Sequence, residues 1–175
     1  MENIKFFDNF LTPSEIQYVD NFIENSKWAY GHTSGDRETI TTPFFSKMDL
    51  DKFFNDFLFD KIQKLVGKNL ILNRNYTHIQ TFGQDGGYHT DDTEKDTFTF
   101  CIWIPSLTEE ELEHAQGEFL IKPPGEKFVA CIDIILNRGV FFPSNYLHKG
   151  MAYNRLFHQK RCCITWKMKE IISTE

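Results

Sequence analysis

The apolar pattern near the start of the chain predicts an amphipathic helix. Within residues 10–25, Thr12 and Glu15 form a capping-box pattern, and Pro13 occupies the first helical position, where no amide hydrogen is needed. The apolar residues that follow recur at the intervals of a single helix face: Ile16, Val19, Phe22 and Ile23. We therefore expect this helix to pack one face against the rest of the protein.

A second helix is predicted over residues 49–67. It begins near Asp49 or Asp51, and Gly67 ends it as a left-handed cap. Its apolar residues make one broad face: Leu50, Phe53, Phe54, Phe57, Leu58, Ile62 and Leu65. The intervening segment, 30–47, is rich in Thr, Ser and Gly, which indicates a loop or an irregular strand.

From residue 69 onward the pattern changes to the period of two that is typical of strands. Residues 96–105 show it most clearly, because one set of side chains alternates with an apolar set (Thr97, Thr99, Cys101 and Trp103 against Phe98, Phe100, Ile102 and Ile104). Further short strands are predicted over 69–83, 117–125, 127–136, 139–144 and 160–169. The acidic segment 109–117 is predicted to be a loop or a short helix. Two helices followed by about eight strands favour a mainly β fold, a sandwich or closed barrel with N-terminal helices packed outside.

Composition and charge narrow the class of protein. The chain has 175 residues, of which 41% are hydrophobic and 18 are phenylalanine, so one domain with a large aromatic core is expected. A net charge of −6 argues against nucleic acid as a partner. No apolar run approaches the ~20 residues that span a bilayer, and the first ten residues lack the features of a signal peptide. We expect a soluble, cytoplasmic protein without a membrane partner; the sequence leaves its oligomeric state open.

The cysteines support that compartment. Their spacing matches neither a metal-binding pair nor a secreted disulfide framework (Cys101, Cys131, Cys162 and Cys163). We therefore predict four free thiols, most of them buried.

Candidate chemistry is concentrated in residues 83–92, where three glycines precede a histidine and two acids. If this segment enters a strand, His89 and Asp91 project to the same face, ~6.7 Å apart along the chain. Asp92 then points to the opposite face. One imidazole and one carboxylate on one face can bind the same cation, provided that a third ligand comes from elsewhere in the fold.

We select His148 as that third ligand. It lies where the apolar strand 139–144 gives way to a polar turn, so its side chain can face the mouth of a barrel. Two histidines and one carboxylate form the facial triad of non-haem Fe(II) oxygenases, which leaves three metal positions open. The remaining histidines are interpreted as surface residues or as residues with structural hydrogen bonds: His32, His78, His114 and His158.

Four stretches, taken in order, resemble the 2-oxoglutarate- and Fe(II)-dependent oxygenases and, within them, the prolyl-4-hydroxylase-like branch. These stretches are "YHTDD", "GEFLIK", "GVFFPSNYLHKG" and "RCCITWKMK". The resemblance implies a double-stranded β-helix of the jelly-roll or cupin-like type and a single domain over residues 1–175. In that arrangement residues 1–68 form a helical N-terminal support, and residues 69–169 form the double-stranded β-helix core.

The resemblance also implies a set of co-substrate contacts. A basic residue on the strand after the second histidine pairs with the distal carboxylate of 2-oxoglutarate, and Arg161, 13 residues after His148, matches it. Arg155 is the competitor, but it lies in a predicted turn. Further contacts are expected from the same face of that strand and from neighbouring strands: Cys163, Thr165, Trp103, and Tyr76 or Tyr88.

The implied activity is hydroxylation of a C–H bond with release of succinate and CO2. It requires Fe(II), 2-oxoglutarate as co-substrate and O2, with ascorbate as a stimulant. Peptidyl proline is the first candidate substrate, and a free amino acid or small metabolite is the alternative. A different class of function, a cupin-like metal-binding module without turnover, would keep the metal ligands but not need Arg161.

Overall fold

The computed structural model describes residues 3–34, 42–48, 50–104 and 106–171, which form two antiparallel sheets with helices on the outside. The helices are α1 (Pro13–Asn25), α2 (Phe59–Val66) and α3 (Glu109–Ala115), and a π-helical segment (Phe53–Leu58) leads into α2. The first strands are β1 (Lys5–Phe7), β2 (Ala29–His32), β3 (Phe44–Lys47), β4 (Leu70–Gln80) and β5 (Thr97–Trp103). The remaining strands are β6 (Phe119–Lys122), β7 (Ala130–Ile132), β8 (Gly139–Pro143), β9 (Leu147–Gly150) and β10 (Arg161–Glu170).

The two predicted helices are present. The capping box of α1 is confirmed, because the Thr12 hydroxyl accepts from the Glu15 amide while the Glu15 carboxylate accepts from the Thr12 amide at 2.6 Å. In the second helix the Asp51 carboxylate accepts from the Phe53 amide at 2.9 Å, whereas Asp49 lies outside the described residues. Gly67 ends α2 in the left-handed region at φ 68°, as predicted.

The larger sheet has seven strands in the order β1-β8-β5-β10-β4-β3-β2, and the smaller has three in the order β7-β6-β9. The alternation predicted for β5 decides which residues lie on each side of the larger sheet. Phe100 and Ile102 join a core beneath α1 and α2, whereas Cys101 and Trp103 point towards the smaller sheet. The predicted arrangement of a mainly β domain with helices outside is confirmed.

The N-terminal part contributes more than helical support. β1 pairs with β8, and β3 pairs with β4, so three strands before residue 68 belong to the larger sheet. The described part of segment 30–47 includes strand residues of β2 and β3, with Phe44 and Ser46 buried on alternate positions. Its polar composition hid this period. The predicted boundary at residue 68 therefore does not separate helices from sheet.

Other elements differ from the predicted bounds by a few residues. The acidic segment 109–117 forms α3, which has a capping box of its own. The strand predicted over 127–136 is reduced to β7, and His148 lies within a strand, β9, rather than in a turn. None of the described helices is long and apolar enough to cross a membrane.

The four cysteines are free, which confirms the prediction of unbridged thiols. Three of them are buried, but Cys131 is exposed because it lies on the outer strand β7 of the smaller sheet.

Candidate metal and co-substrate site

A cavity of about 300 Å³ lies between the two sheets. The smaller sheet forms one wall of this cavity, with Phe119 from β6 and His148 and Gly150 from β9, and residues 32–34 also line it. Its floor consists of alternate residues of β4 and β10, which we call the cavity floor: Arg74, Tyr76, His78, Gln80, Arg161, Cys163, Thr165 and Lys167.

The residues of the cavity floor face each other in register across the two strands. Arg161 is directly opposite Gln80 at one end, and Lys167 is opposite Arg74 at the other. The pairs between them are Cys163 with His78 and Thr165 with Tyr76. Because side chains on a strand alternate between faces, the backbone pairing alone brings all eight into the cavity.

The three residues selected as metal ligands come together above this floor. His89 forms an isolated antiparallel bridge with His148, with N–O distances of 3.0 and 2.9 Å between their backbone amides and carbonyls. The Asp91 amide donates to the Ser144 carbonyl at 2.9 Å, which anchors the acid beside β8. One ligand atom of each of His89, Asp91 and His148 lies within 4.8 Å of the others.

The predicted strand through His89 and Asp91 is wrong, although both side chains do reach one site. Only His89 pairs, as a single bridge, and residues 90–96 are irregular. The local geometry is therefore set by contacts to His148 and Ser144 rather than by a strand period. Asp92 is outside the cluster, and its Oδ1 accepts from the amides of Thr93 and Glu94.

Hydrogen bonds fix the tautomers of both histidines. His89 Nδ1 lies 3.0 Å from the Gly87 carbonyl, and His148 Nδ1 lies 2.8 Å from the Tyr146 carbonyl. A carbonyl can only accept, so each Nδ1 carries the hydrogen and each Nε2 of the neutral ring keeps a lone pair. Both Nε2 atoms lie 3.5 Å from the Asp91 carboxylate, which points their lone pairs into one site.

Asp91 is held as a carboxylate. Its side chain is 1% exposed, and Thr99 Oγ1 donates to Oδ2 at 2.6 Å while the Lys167 ammonium lies 2.6 Å from Oδ1. Burial opposes ionisation, yet His148, His89 and the positive charge of Lys167 act against it and hold the pKa of Asp91 well below its usual range. A metal requires this ionised form.

The partner ligand His148 is held neutral. Burial lowers its pKa to about 4, although the nearby Asp91 carboxylate acts in the opposite direction. At neutral pH the site thus combines an anionic oxygen ligand with an unprotonated imidazole, which is the protonation state that metal binding needs.

Arg161 lies at the other end of the cavity floor and is 1% exposed. Its Nε donates to the Gly117 carbonyl at 2.7 Å, and its Nη1 donates to the Gln80 side-chain oxygen at 2.7 Å. Nη2 is buried without a hydrogen-bond partner among the described residues. A Cβ added at Gly150 would lie 3.0–3.1 Å from both terminal nitrogens, so that glycine leaves the guanidinium its space.

The other predicted contacts also line the cavity: Tyr76, Trp103, Cys163 and Thr165. Trp103 lies with its ring centroid 5.9 Å from Arg161 Cζ, and its indole nitrogen is buried without a partner among the described residues. Thr165 Oγ1 is 3.7 Å from the Cys163 sulfur. Tyr88, the alternative to Tyr76, does not line the cavity; its ring packs under Lys149.

Several residues of this site are not among those predicted from the sequence. His78 and His32 were predicted to be surface or structural histidines, but both line the cavity, and His78 Nδ1 has no partner among the described residues. The signal for His78 was present, because it shares the strand period with Tyr76 and Gln80. Lys167 and Thr99 both contact Asp91. They lie side by side because β10 pairs with β5, a pairing that the sequence did not reveal.

The sequence matches no protein-family model and no curated protein, whereas the fold is shared with many solved structures. A 2OG-Fe(II) oxygenase family oxidoreductase from Burkholderia pseudomallei superposes with a TM-score of 0.74 at 11% identity, covering 96% of this chain and 85% of that one. A Trichoplax adhaerens prolyl hydroxylase, solved with a hypoxia inducible factor peptide fragment, gives 0.69 at 16% identity over 96% and 84%. HygX from Streptomyces hygroscopicus, solved with nickel and 2-oxoglutarate, gives 0.69 at 11% identity over 99% and 85%.

The chain has the fold of the 2-oxoglutarate- and Fe(II)-dependent oxygenases. The prediction of a double-stranded β-helix is therefore confirmed. The larger sheet of this oxygenase fold carries the cavity floor, and the smaller sheet carries His148 on the opposite wall.

The residues present fit the metal and the co-substrate that this fold accommodates in HygX. Two histidine imidazoles and one carboxylate are the donor set suited to non-haem Fe(II). The partnerless Nη2 of Arg161 is a buried, charged donor that suits the carboxylate of a diacid. Both features belong to the same cavity.

Proposed function

We propose that this protein is a non-haem Fe(II) oxygenase that hydroxylates a C–H bond and consumes 2-oxoglutarate. The observation that carries this proposal is the presence, in one cavity, of a clustered His-Asp-His set and a buried arginine with an unpaired donor edge. A jelly roll with a purely structural role needs neither feature. Burying an unpaired guanidinium edge costs stability, so a bound ligand is the better reason for keeping it.

In this proposal His89, Asp91 and His148 hold the iron, and Arg161 binds the distal carboxylate of 2-oxoglutarate. Iron and 2-oxoglutarate, when bound, supply an oxidant from O2 and release succinate and CO2. The protein's own contribution is placement. Thr99 and Lys167 keep the carboxylate ligand ionised and oriented, and the carbonyls of Gly87 and Tyr146 fix the imidazole tautomers.

Cys163, Thr165, Trp103 and Tyr76 are proposed to line the co-substrate between those two ends. Thr165 is the stronger hydrogen-bonding group of the two β10 residues, because a thiol is a weak donor and acceptor. Tyr76 is buried on the floor directly opposite Thr165.

Peptidyl proline is the first candidate substrate. It is supported by the similarity to the Trichoplax prolyl hydroxylase, which was solved with a peptide. A free amino acid or small metabolite is the second candidate. We also propose that the protein works in the cytoplasm, since its free thiols agree with a reducing compartment.

The test is release of succinate from 2-oxoglutarate under Fe(II) and ascorbate, with peptides, free amino acids and oligonucleotides as candidate substrates. We expect turnover in the wild-type protein, stimulated by a peptide or an amino acid, and no turnover in Asp91→Ala. Asp92→Ala is the matched control, since it removes a neighbouring carboxylate that lies outside the cluster. Equal loss in both variants would contradict the assignment of Asp91.

The competing function is a metal-binding module of the same fold without turnover. The two are separated by titrating the Mn(II)-loaded protein with 2-oxoglutarate. Binding of Mn(II) without binding of 2-oxoglutarate at millimolar concentration would overturn the oxygenase proposal in favour of the module.

A further inference from the structure

The cavity floor has a second cationic end. Arg161 and Gln80 lie at one end, whereas Lys167 and Arg74 face each other at the other. Gln80 lies six positions after Arg74 on β4, which corresponds to ~20 Å along a strand. Arg74 is therefore too far from Arg161 to share in holding the tail of the same small diacid, and it is available to a second ligand.

The backbone is irregular beside Arg74. The register between β4 and β10 shifts between Lys167 and Met168, so that Arg74 pairs with Lys167 but Leu72 pairs with Met168. Asn73 is thus the extra residue of a β-bulge. Bulges re-aim neighbouring side chains and are frequent next to active sites. This one places Arg74 at the point where the main cavity meets a recess of about 250 Å³.

Arg74 is exposed and has no acidic partner among the described residues. Its guanidinium lies over the Tyr76 ring, with Cζ 5.0 Å from the centroid. Asp91 also lines this end but is already bound to Lys167, and Asp92 accepts from backbone amides. The guanidinium thus lies on an aromatic ring beside the metal cluster, and none of the residues that the structure describes forms a hydrogen bond with it.

The balance of charge favours an anion at this end. Fe(II), the Asp91 carboxylate, a 2-oxoglutarate dianion and Arg161 would sum to zero. Asp92, which also lines the recess, offsets only one of the two remaining cations, Arg74 and Lys167, so a net positive charge is left at this end. The pKa of the nearby His32 imidazole is lowered first by burial and then by the positive charges of Arg74 and Lys167. A concentration of positive charge is notable in a chain whose net charge is −6.

We propose that the substrate of this site carries a carboxylate and that Arg74 binds it. This inference rests on the proposed function and names the class of its substrate. A planar guanidinium recognises a carboxylate through two parallel hydrogen bonds. A phosphate is disfavoured, because phosphate sites commonly use the N-terminus of a helix, and the described helices that pack on the larger sheet lie on the face away from the cavity.

The test uses matched probes that differ only in charge. The protein is loaded with Mn(II) and 2-oxoglutarate, which prevents turnover, and is titrated calorimetrically with free L-amino acids and their amides. A second arm uses short proline peptides that contain Asp or Asn beside the proline. The first arm reports a free acid as substrate, and the second reports an acidic peptide.

We expect at least one carboxylate probe to bind about 10- to 100-fold more tightly than its amide. Arg74→Gln should reduce that ratio to near one, whereas Arg155→Gln, an equal change of charge outside the cavity, should preserve it. An unchanged ratio in Arg74→Gln, no preference for carboxylates in the wild type, or tighter binding of a phosphate monoester through Arg74 would each overturn the inference. Failure of 2-oxoglutarate to bind would instead refute the proposed function, so the two outcomes remain distinct.

Discussion

Replacing Arg161 should separate co-substrate binding from metal binding. Arg161→Ala removes the guanidinium whose Nε and Nη1 donate to Gly117 and Gln80 and whose Nη2 has no partner within the described part of the chain. Loss of a charge-assisted pair that leaves a buried carboxylate unpaired costs about 2–5 kcal/mol. The dissociation constant of 2-oxoglutarate should therefore rise roughly 30-fold to several thousand-fold.

A more conservative substitution of Arg161 should weaken 2-oxoglutarate binding by a smaller amount. Arg161→Lys keeps the charge but loses the planar fork, and an ammonium cannot satisfy both Gly117 and Gln80 in the same geometry. We expect it to lose about 1–2 kcal/mol of co-substrate affinity, or roughly 5- to 30-fold. Mn(II) affinity should change little in either variant, because Arg161 is separate from the His-Asp-His cluster.

The assay is calorimetric titration of the Mn(II)-loaded protein with 2-oxoglutarate, with thermal unfolding to verify that each variant is folded. Arg155→Ala is the control, since Arg155 is exposed and lies outside the cavity. If Arg155→Ala loses 2-oxoglutarate and Arg161→Ala retains it, the proposed role of Arg161 and of its end of the floor is refuted.

Four further results are expected. Alanine at any one of the three metal ligands should abolish or greatly weaken Mn(II) binding measured by electron paramagnetic resonance, while Asp92→Ala should change it by no more than a few-fold. Gly150→Ala should weaken 2-oxoglutarate several-fold in the same calorimetric assay while leaving metal binding intact, because the new Cβ would lie 3.0–3.1 Å from the Arg161–Gln80 pair; unchanged affinity would show that the pair can shift freely. Iodoacetamide should label the native protein at Cys131 alone, as judged by mass spectrometry, and labelling of the three buried thiols at the same rate would contradict their burial. Burial holds the pKa of His78 well below its usual 6.5, so the neutral ring stabilises the folded protein fully above pH 6.5, and this stabilisation is lost as the pH falls below it. Urea unfolding as a function of pH should show the loss of stability. His78→Asn should make that loss smaller.

Strand alternation made much of this site predictable from the sequence. It placed Cys163 and Thr165 on the same face as Arg161, and the structure has all three on the cavity floor. The capping box of α1 was equally predictable, because its signal is local. The predictions that were confirmed rest on patterns among residues that are close together in the sequence.

The parts that could not be predicted depend on long-range contacts. No strand period brings Asp91 to the site. Its position is fixed instead by a hydrogen bond to the carbonyl of Ser144, the residue that follows β8. The contacts of Thr99 and Lys167 with Asp91 likewise require knowledge of which strands pair. The role of Gln80 follows only from its position opposite Arg161 in the register.

The in-register floor also makes the site sensitive to chain length in a way that point substitutions do not reveal. Deleting a single residue such as Ile164 from β10 would invert every side chain beyond it, because the faces of a strand alternate. Trp166 and Met168 would then enter the cavity, while Thr165 and Lys167 would be forced into the core beneath the helices. A deletion in the turn at 155–159 would leave this alternation intact. Loop-length changes between β9 and β10 should therefore be accepted far more readily than any single-residue insertion or deletion between Arg161 and Lys167.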